Sequence, residues 1–125
     1  MSPALMMRLG AGFMFLAVGL GAFGAHALKA RLEPDMLAAF EIGVRYQVYH
    51  ALALLLLASL RGPSKAAWCF TAGIALFSGS LYILALTGIR KWGAVTPIGG
   101  LLFLAGWLIL LFSRTSQTLF DRLSL

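Results

Sequence analysis

The stretch Leu9-Gly10-Ala11-Gly12-Phe13-Met14-Phe15-Leu16-Ala17-Val18-Gly19-Leu20-Gly21-Ala22-Phe23-Gly24-Ala25-His26-Ala27-Leu28 runs without a charge between Arg8 and Lys29. An α-helix needs about 20 such residues to cross the hydrocarbon core of a bilayer. The apolar segment extends back to about Met6. Three more of similar character follow, over about Met36–Leu60, Ala66–Ile89 and Pro97–Phe112. In lipid every backbone N–H and C=O needs an internal partner, which leaves helices and closed barrels as spanning structures. These segments are too long and too continuously apolar for barrel strands. The expected fold is therefore all-α, an integral membrane four-helix bundle forming one transmembrane domain over residues 1–125. Composition agrees: 61% of residues are hydrophobic, 11% are charged and the mean hydropathy is +0.92. A soluble chain of this length cannot hide that much apolar surface.

The connections at 61–65 and 90–96 are short, which makes their flanking helices antiparallel. Glu33-Pro34-Asp35 suits a helix entry, and Thr96-Pro97 reads as an N-cap followed by the first helical residue. Arg8, the apolar run and Ala25-His26-Ala27 also resemble a secretory signal with its cleavage site. The run exceeds the usual signal core, so the segment is expected to stay as a helix. With the N-terminus inside, Arg8, Arg61, Lys65, Arg114 and Arg122 face the cytoplasm, while Lys29, Arg31, Arg90 and Lys91 face outward. This margin of one charge favours N-in and C-in in the bacterial inner membrane and leaves dual topology open.

The net charge of +6 comes from residues at the ends of apolar runs, where they meet lipid phosphates. Membrane lipids are the expected partners. No basic patch interleaved with aromatic residues exists, so nucleic acid is not. A single cysteine, Cys69, excludes an intramolecular disulfide and a CxxC metal site.

Helices in lipid associate through close backbone approach, so small residues mark interfaces. Gly10, Ala17, Gly21 and Gly24 share one side of the first helix. Gly12, Gly19 and His26 repeat every seven residues on the other. Two such faces predict that this helix is sandwiched between neighbours. The third helix aligns Thr71, Ala75, Ser78, Tyr82 and Ala85, and the fourth aligns Gly99, Phe103, Gly106 and Leu110. These stripes are read as helix-packing faces, with a polar pathway along Thr71, Ser78 and Tyr82 as the sharper alternative. Trp68 and Trp92 suit interfacial anchoring, whereas Trp107 lies deeper and needs a partner for its N–H.

The second segment is the least lipid-like. In Glu41-Ile42-Gly43-Val44-Arg45-Tyr46-Gln47-Val48-Tyr49-His50, the pair Glu41 and Arg45 has the i,i+4 spacing of an ion pair. If the helix enters the membrane at Glu41, Arg45 lies roughly 6 Å deep and His50 roughly 13 Å deep. A candidate ligand or ion cluster of His26, Glu41, Arg45, Tyr46, Tyr49 and His50 follows. It is either an internal network that selects helix neighbours or an intramembrane site. His26 and His50 differ in depth by roughly 10 Å at helical rise, which disfavours bis-His haem. Two histidines and one glutamate leave an incomplete zinc shell. No cofactor, no metal and no catalytic residue are expected. Phe77-Ser78-Gly79-Ser80-Leu81 lies mid-helix and is not a hydrolase elbow.

Four blocks in order carry a family resemblance: Gly21-Ala22-Phe23-Gly24-Ala25-His26-Ala27-Leu28, Tyr46-Gln47-Val48-Tyr49-His50-Ala51-Leu52-Ala53-Leu54, Leu76-Phe77-Ser78-Gly79-Ser80-Leu81-Tyr82, and Thr96-Pro97-Ile98-Gly99-Gly100 with Gly106-Trp107. Together they resemble the uncharacterised small four-pass inner-membrane family that includes bacterial YgdD, over roughly residues 10–112. The resemblance implies a four-helix membrane protein without assigned activity and adds Gly79 to the small helix-packing positions. Three functions are then in view. The first is an accessory or scaffold subunit, as a homo-oligomer or within a larger membrane complex. The second is a small-solute or ion transporter using Glu41 and Arg45. The third is a lipid- or quinone-binding module.

Overall fold

The computed structural model describes residues 1–114 and 123–124, so Arg122 lies outside the described residues. Four helices are long and apolar enough to cross a membrane. They span Pro3–Leu28 (α1), Pro34–Leu60 (α2), Ser64–Thr87 (α3) and Arg90–Leu111, whose α-helical part, Thr96–Leu111, we label α4. A 3₁₀ turn over Arg90–Ala94 leads into α4.

Local chemistry sets the boundaries. The Ser2 hydroxyl accepts the Leu5 N–H at 3.1 Å and Pro3 opens α1, as expected of a capping serine and an N1 proline. Pro34 opens α2 with Asp35 in its first turn, where a carboxylate suits the helix dipole. Arg61, in the left-handed region at φ 50°, ends α2, and the following Gly62 N–H bonds the Leu57 carbonyl. Gly88, at φ 71°, ends α3 with its N–H on the Leu84 carbonyl. The expected cap at Thr96 is not formed. Val95 is already helical because the 3₁₀ turn runs into α4, and the Thr96 hydroxyl meets the Ser80 hydroxyl at 2.6 Å instead.

Two helices carry a one-turn π-bulge, Leu20–Gly24 in α1 and Ile74–Ser78 in α3. Such widenings recur where helices carry functional side chains.

α1 lies along α2, α2 along α3, and α3 along α4. Aromatic side chains of α2 and α4 meet over α3. The α3–α4 contact is notched by glycines on both sides. Phe103 fills the space beside Gly73, Phe70 fills the space beside Gly106, and the Phe77 backbone lies against Gly99. Such close approach is what drives helix association where lipid removes any hydrophobic advantage. The apolar core gathers Met6, Leu54, Leu57, Ala66, Ala67, Phe70, Ile74 and Phe103.

The expectation of a sandwiched α1 is not met among the described residues of one chain. Its Gly10 face is occupied: a Cβ there would lie 2.9 Å from the Ala51 carbonyl oxygen. Gly21 abuts Val44 and Gly24 abuts Phe40. On the opposite face, Gly12 and Gly19 have no atom within reach of an added Cβ. The bundle stacks α3 and α4 on the other flank of α2, so one chain supplies α1 with a single long neighbour.

Candidate functional site

The polar groups of the membrane interior are organised around the middle of α2. Gln47 stands midway along this helix and is buried. Its amide nitrogen donates to the Phe13 carbonyl of α1 at 2.8 Å, and its amide oxygen accepts the Tyr82 hydroxyl of α3 at 2.7 Å. One side chain thus ties three helices. Gly43 permits this approach, since a Cβ there would lie 2.8 Å from the Tyr82 ring. The buried Gly43 carbonyl accepts the Ser78 hydroxyl at 2.6 Å. The π-bulge over Ile74–Ser78 brings Ser78 to this contact.

One turn further along α2, His50 is bonded at both ring nitrogens. Nδ1 lies 2.8 Å from the Tyr46 carbonyl oxygen, and Nε2 lies 3.0 Å from the Trp107 indole nitrogen. Indole N–H is only a donor, so Nε2 must accept. His50 is therefore the neutral Nδ1–H tautomer, donating to Tyr46. Its ring stacks on Phe103 at 3.6 Å between centroids and 8° between planes. Above this stack a groove of about 550 Å³ opens between α2 and α4, lined by Tyr46, His50, Phe77, Gly100, Phe103 and Trp107.

The residues singled out in sequence separate into three places. His50 and Tyr46 join the groove. Tyr49 is half-exposed with its ring edge on Tyr46. Glu41 and Arg45 are exposed on the outer face of α2, and His26 is exposed near the end of α1. The internal cluster of Glu41, Arg45, Tyr46 and His26 is therefore not assembled within one chain. Positions 41 and 45 fall on the face of α2 turned away from α1 and α3, and long side chains there can reach the interface instead. An ion pair does cross the bundle end, from Arg90 to Asp35 at 3.1 Å, with both side chains exposed.

Among the helix-packing residues, Ser78, Gly21, Gly24, Gly99 and Gly106 contact neighbouring helices, while Gly12, Gly19 and Gly79 face open space. Thr71 bonds the Ala67 carbonyl, so Thr71, Ser78 and Tyr82 each have an internal partner. The outer face of α1 is the second feature of note. Gly12 and Gly19 form the floors of two grooves of about 390 and 500 Å³, separated by Phe15, which is 79% exposed. Sequence reasoning passed over Gln47, Gly43 and Gly73. The available signal was a lone amide inside an apolar run and glycines in register with large aromatics.

The sequence pattern of DUF423, a protein of unknown function, matches residues 20–100. A UPF0382 membrane protein of Staphylococcus haemolyticus is 48% identical over 114 residues, covering 87% of this chain and 93% of the relative. One from Staphylococcus saprophyticus is 50% identical over 107 residues, covering 82% and 89%. The UPF0382 membrane protein YwdK of Bacillus subtilis is 46% identical over 109 residues, with the same coverage. No solved structure matches the chain.

Proposed function

The chain belongs to the DUF423 family, the UPF0382 membrane proteins of bacteria, and we propose that it is a non-enzymatic accessory or scaffold subunit. It packs laterally, through the outer face of α1, against another membrane protein or a second copy of itself. We take the small inner-membrane family that includes YgdD to be this same family, and place the protein in the cytoplasmic membrane with both termini inside.

The observation that carries this reading is the outer face of α1. Gly12 and Gly19 open grooves on either side of a protruding Phe15, which is 79% exposed, and among the described residues nothing fills the space beside either glycine. In lipid, small residues beside a large one are what a second helix packs into. A helix meant only for lipid gains nothing from such notches, and each interior glycine costs it about 1 kcal/mol against alanine. A transporter acting through Glu41 and Arg45 has less support, because both side chains lie on the outer surface.

Photo-crosslinking in native membranes tests the proposal. A benzoyl-phenylalanine at Phe15 or Phe23 should give discrete protein adducts, and one at Leu108 of α4 should not. Filling the grooves with Gly12→Leu and Gly19→Leu should abolish the adducts while the protein still elutes as a folded species. Adducts of twice the chain mass identify a homo-oligomer; other masses identify a complex. Lipid adducts alone at every position would sink the reading.

A further inference from the structure

The groove between α2 and α4 carries chemistry that the internal ties of the bundle do not use. Its volume of about 550 Å³ lies within the range of about 300–1,000 Å³ typical of small-molecule sites. The nitrogens of His50 and Trp107 satisfy one another and the Tyr46 carbonyl. The Tyr46 hydroxyl differs. Tyr46 lines the groove, is 38% exposed and makes no hydrogen bond through its hydroxyl among the described residues. It sits one residue from the midpoint of α2, so an acceptor that enters the groove from the bilayer can take its proton.

The walls of the groove describe that molecule. The planes of Tyr46, His50 and Phe103 agree to within 16°, so the site offers aligned aromatic surface, which favours stacking of a flat ring. Trp107, with its ring centroid 5.8 Å from that of His50, also lines the groove and is 41% exposed. On the α4 side, a Cβ on Gly100 would meet nothing nearer than the Phe77 ring at 3.9 Å, so the missing side chain is groove volume. Leu101 and Leu104 carry the rim out toward lipid.

We propose that this groove binds a planar, carbonyl-bearing ring on an apolar tail, the chemistry of a lipid-soluble quinone. Tyr46 donates its hydroxyl to the ring carbonyl, and the tail leaves past Leu101 and Leu104 into the bilayer. A phospholipid ester shares the carbonyl acceptor but lacks the flat ring that the aligned aromatic walls would stack. The site is independent of the α1 face and stands or falls separately from it.

The test uses the full chain in nanodiscs with Trp68→Phe and Trp92→Phe, which leaves Trp107 as the sole tryptophan. Titration with decylubiquinone should quench Trp107 fluorescence saturably. Tyr46→Phe keeps the ring and should weaken binding about two- to tenfold, the worth of one net hydrogen bond. Gly100→Leu should remove the saturable component while the helical circular dichroism and its melting remain. Quenching that rises linearly with quinone, equal in all three proteins, overturns the proposal. So does saturable quenching by a brominated phospholipid in the absence of any by the quinone. Should Gly100→Leu fail to fold, the Tyr46→Phe comparison decides alone.

Discussion

The His50 ring is held at both nitrogens, and this determines what it can do. The donor-only indole of Trp107 on Nε2 and the Tyr46 carbonyl at Nδ1 leave no free lone pair for a metal or haem iron. A second proton on the ring would set two N–H groups against each other. We expect the ¹⁵N shifts of His50 in labelled protein to show a protonated Nδ1 and an unprotonated Nε2, and Trp107→Phe to release Nε2 and mix the tautomers. An Nε2–H ring in the unmodified protein would refute the assignment. Gln47 acts at the same scale but for architecture, since one amide satisfies groups on α1 and α3 together. Interhelical bonds of this kind contribute about 0.6–2 kcal/mol in membrane bundles.

Helices here differ in how their glycines are used. Gly73, Gly99 and Gly106 are seats for Phe103, the Phe77 backbone and Phe70, while Gly12 and Gly19 seat nothing among the described residues. A methyl group at Gly99 collides with backbone, which cannot swing aside as a side chain can. Gly99→Ala should therefore destabilise the bundle by about 2 kcal/mol or more, at the upper end of what overpacking costs. Gly12→Ala and Gly19→Ala should leave the isolated chain unchanged or stabilise it by up to about 1 kcal/mol, since alanine is the better helix former. Refolding in mixed micelles reads both. Equal loss at all three positions would mean that the outer face of α1 is not open.

Across the whole molecule, α3 packs on both α2 and α4, whose aromatic side chains meet, and α1 leans on α2 from outside. Its ties beyond α2 are at its beginning, where the chain's amino group meets the Ser64 hydroxyl and Met6 enters the core. Local stability follows contact density. We expect hydrogen exchange in detergent to be fastest in the middle of α1 and slowest in α2 around Gln47–Leu57, and α1 to gain protection in native membranes where its partner is present. Uniform protection across the four helices would contradict this ranking.

The existence, number and order of the helices were legible in the residues because the requirement is local. A run of about 20 apolar residues must satisfy its own backbone in lipid, whatever surrounds it. The Pro34 start of α2 and the Gly10, Gly21, Gly24, Gly99 and Gly106 contacts were legible for the same reason, since helical spacing alone puts them on faces. The neighbour each face meets is not a local property. Helix periodicity marks Gly12 and Gly10 as equally small, and only the placement of α3 and α4 on the far flank of α2 leaves one empty and the other filled. The same holds for the polar residues. Spacing pairs Glu41 with Arg45, but rotation of α2 within the bundle sends both outward and turns Gln47 and His50 inward. The Thr96 and Ser78 hydroxyls likewise answer to groups distant in sequence, Ser80 and the Gly43 carbonyl. Sequence therefore determined a four-span membrane protein, because transfer into lipid is decided one segment at a time. Tertiary structure decided which residues form the aromatic groove and which face stays unpartnered, because those depend on how four helices divide a limited contact surface.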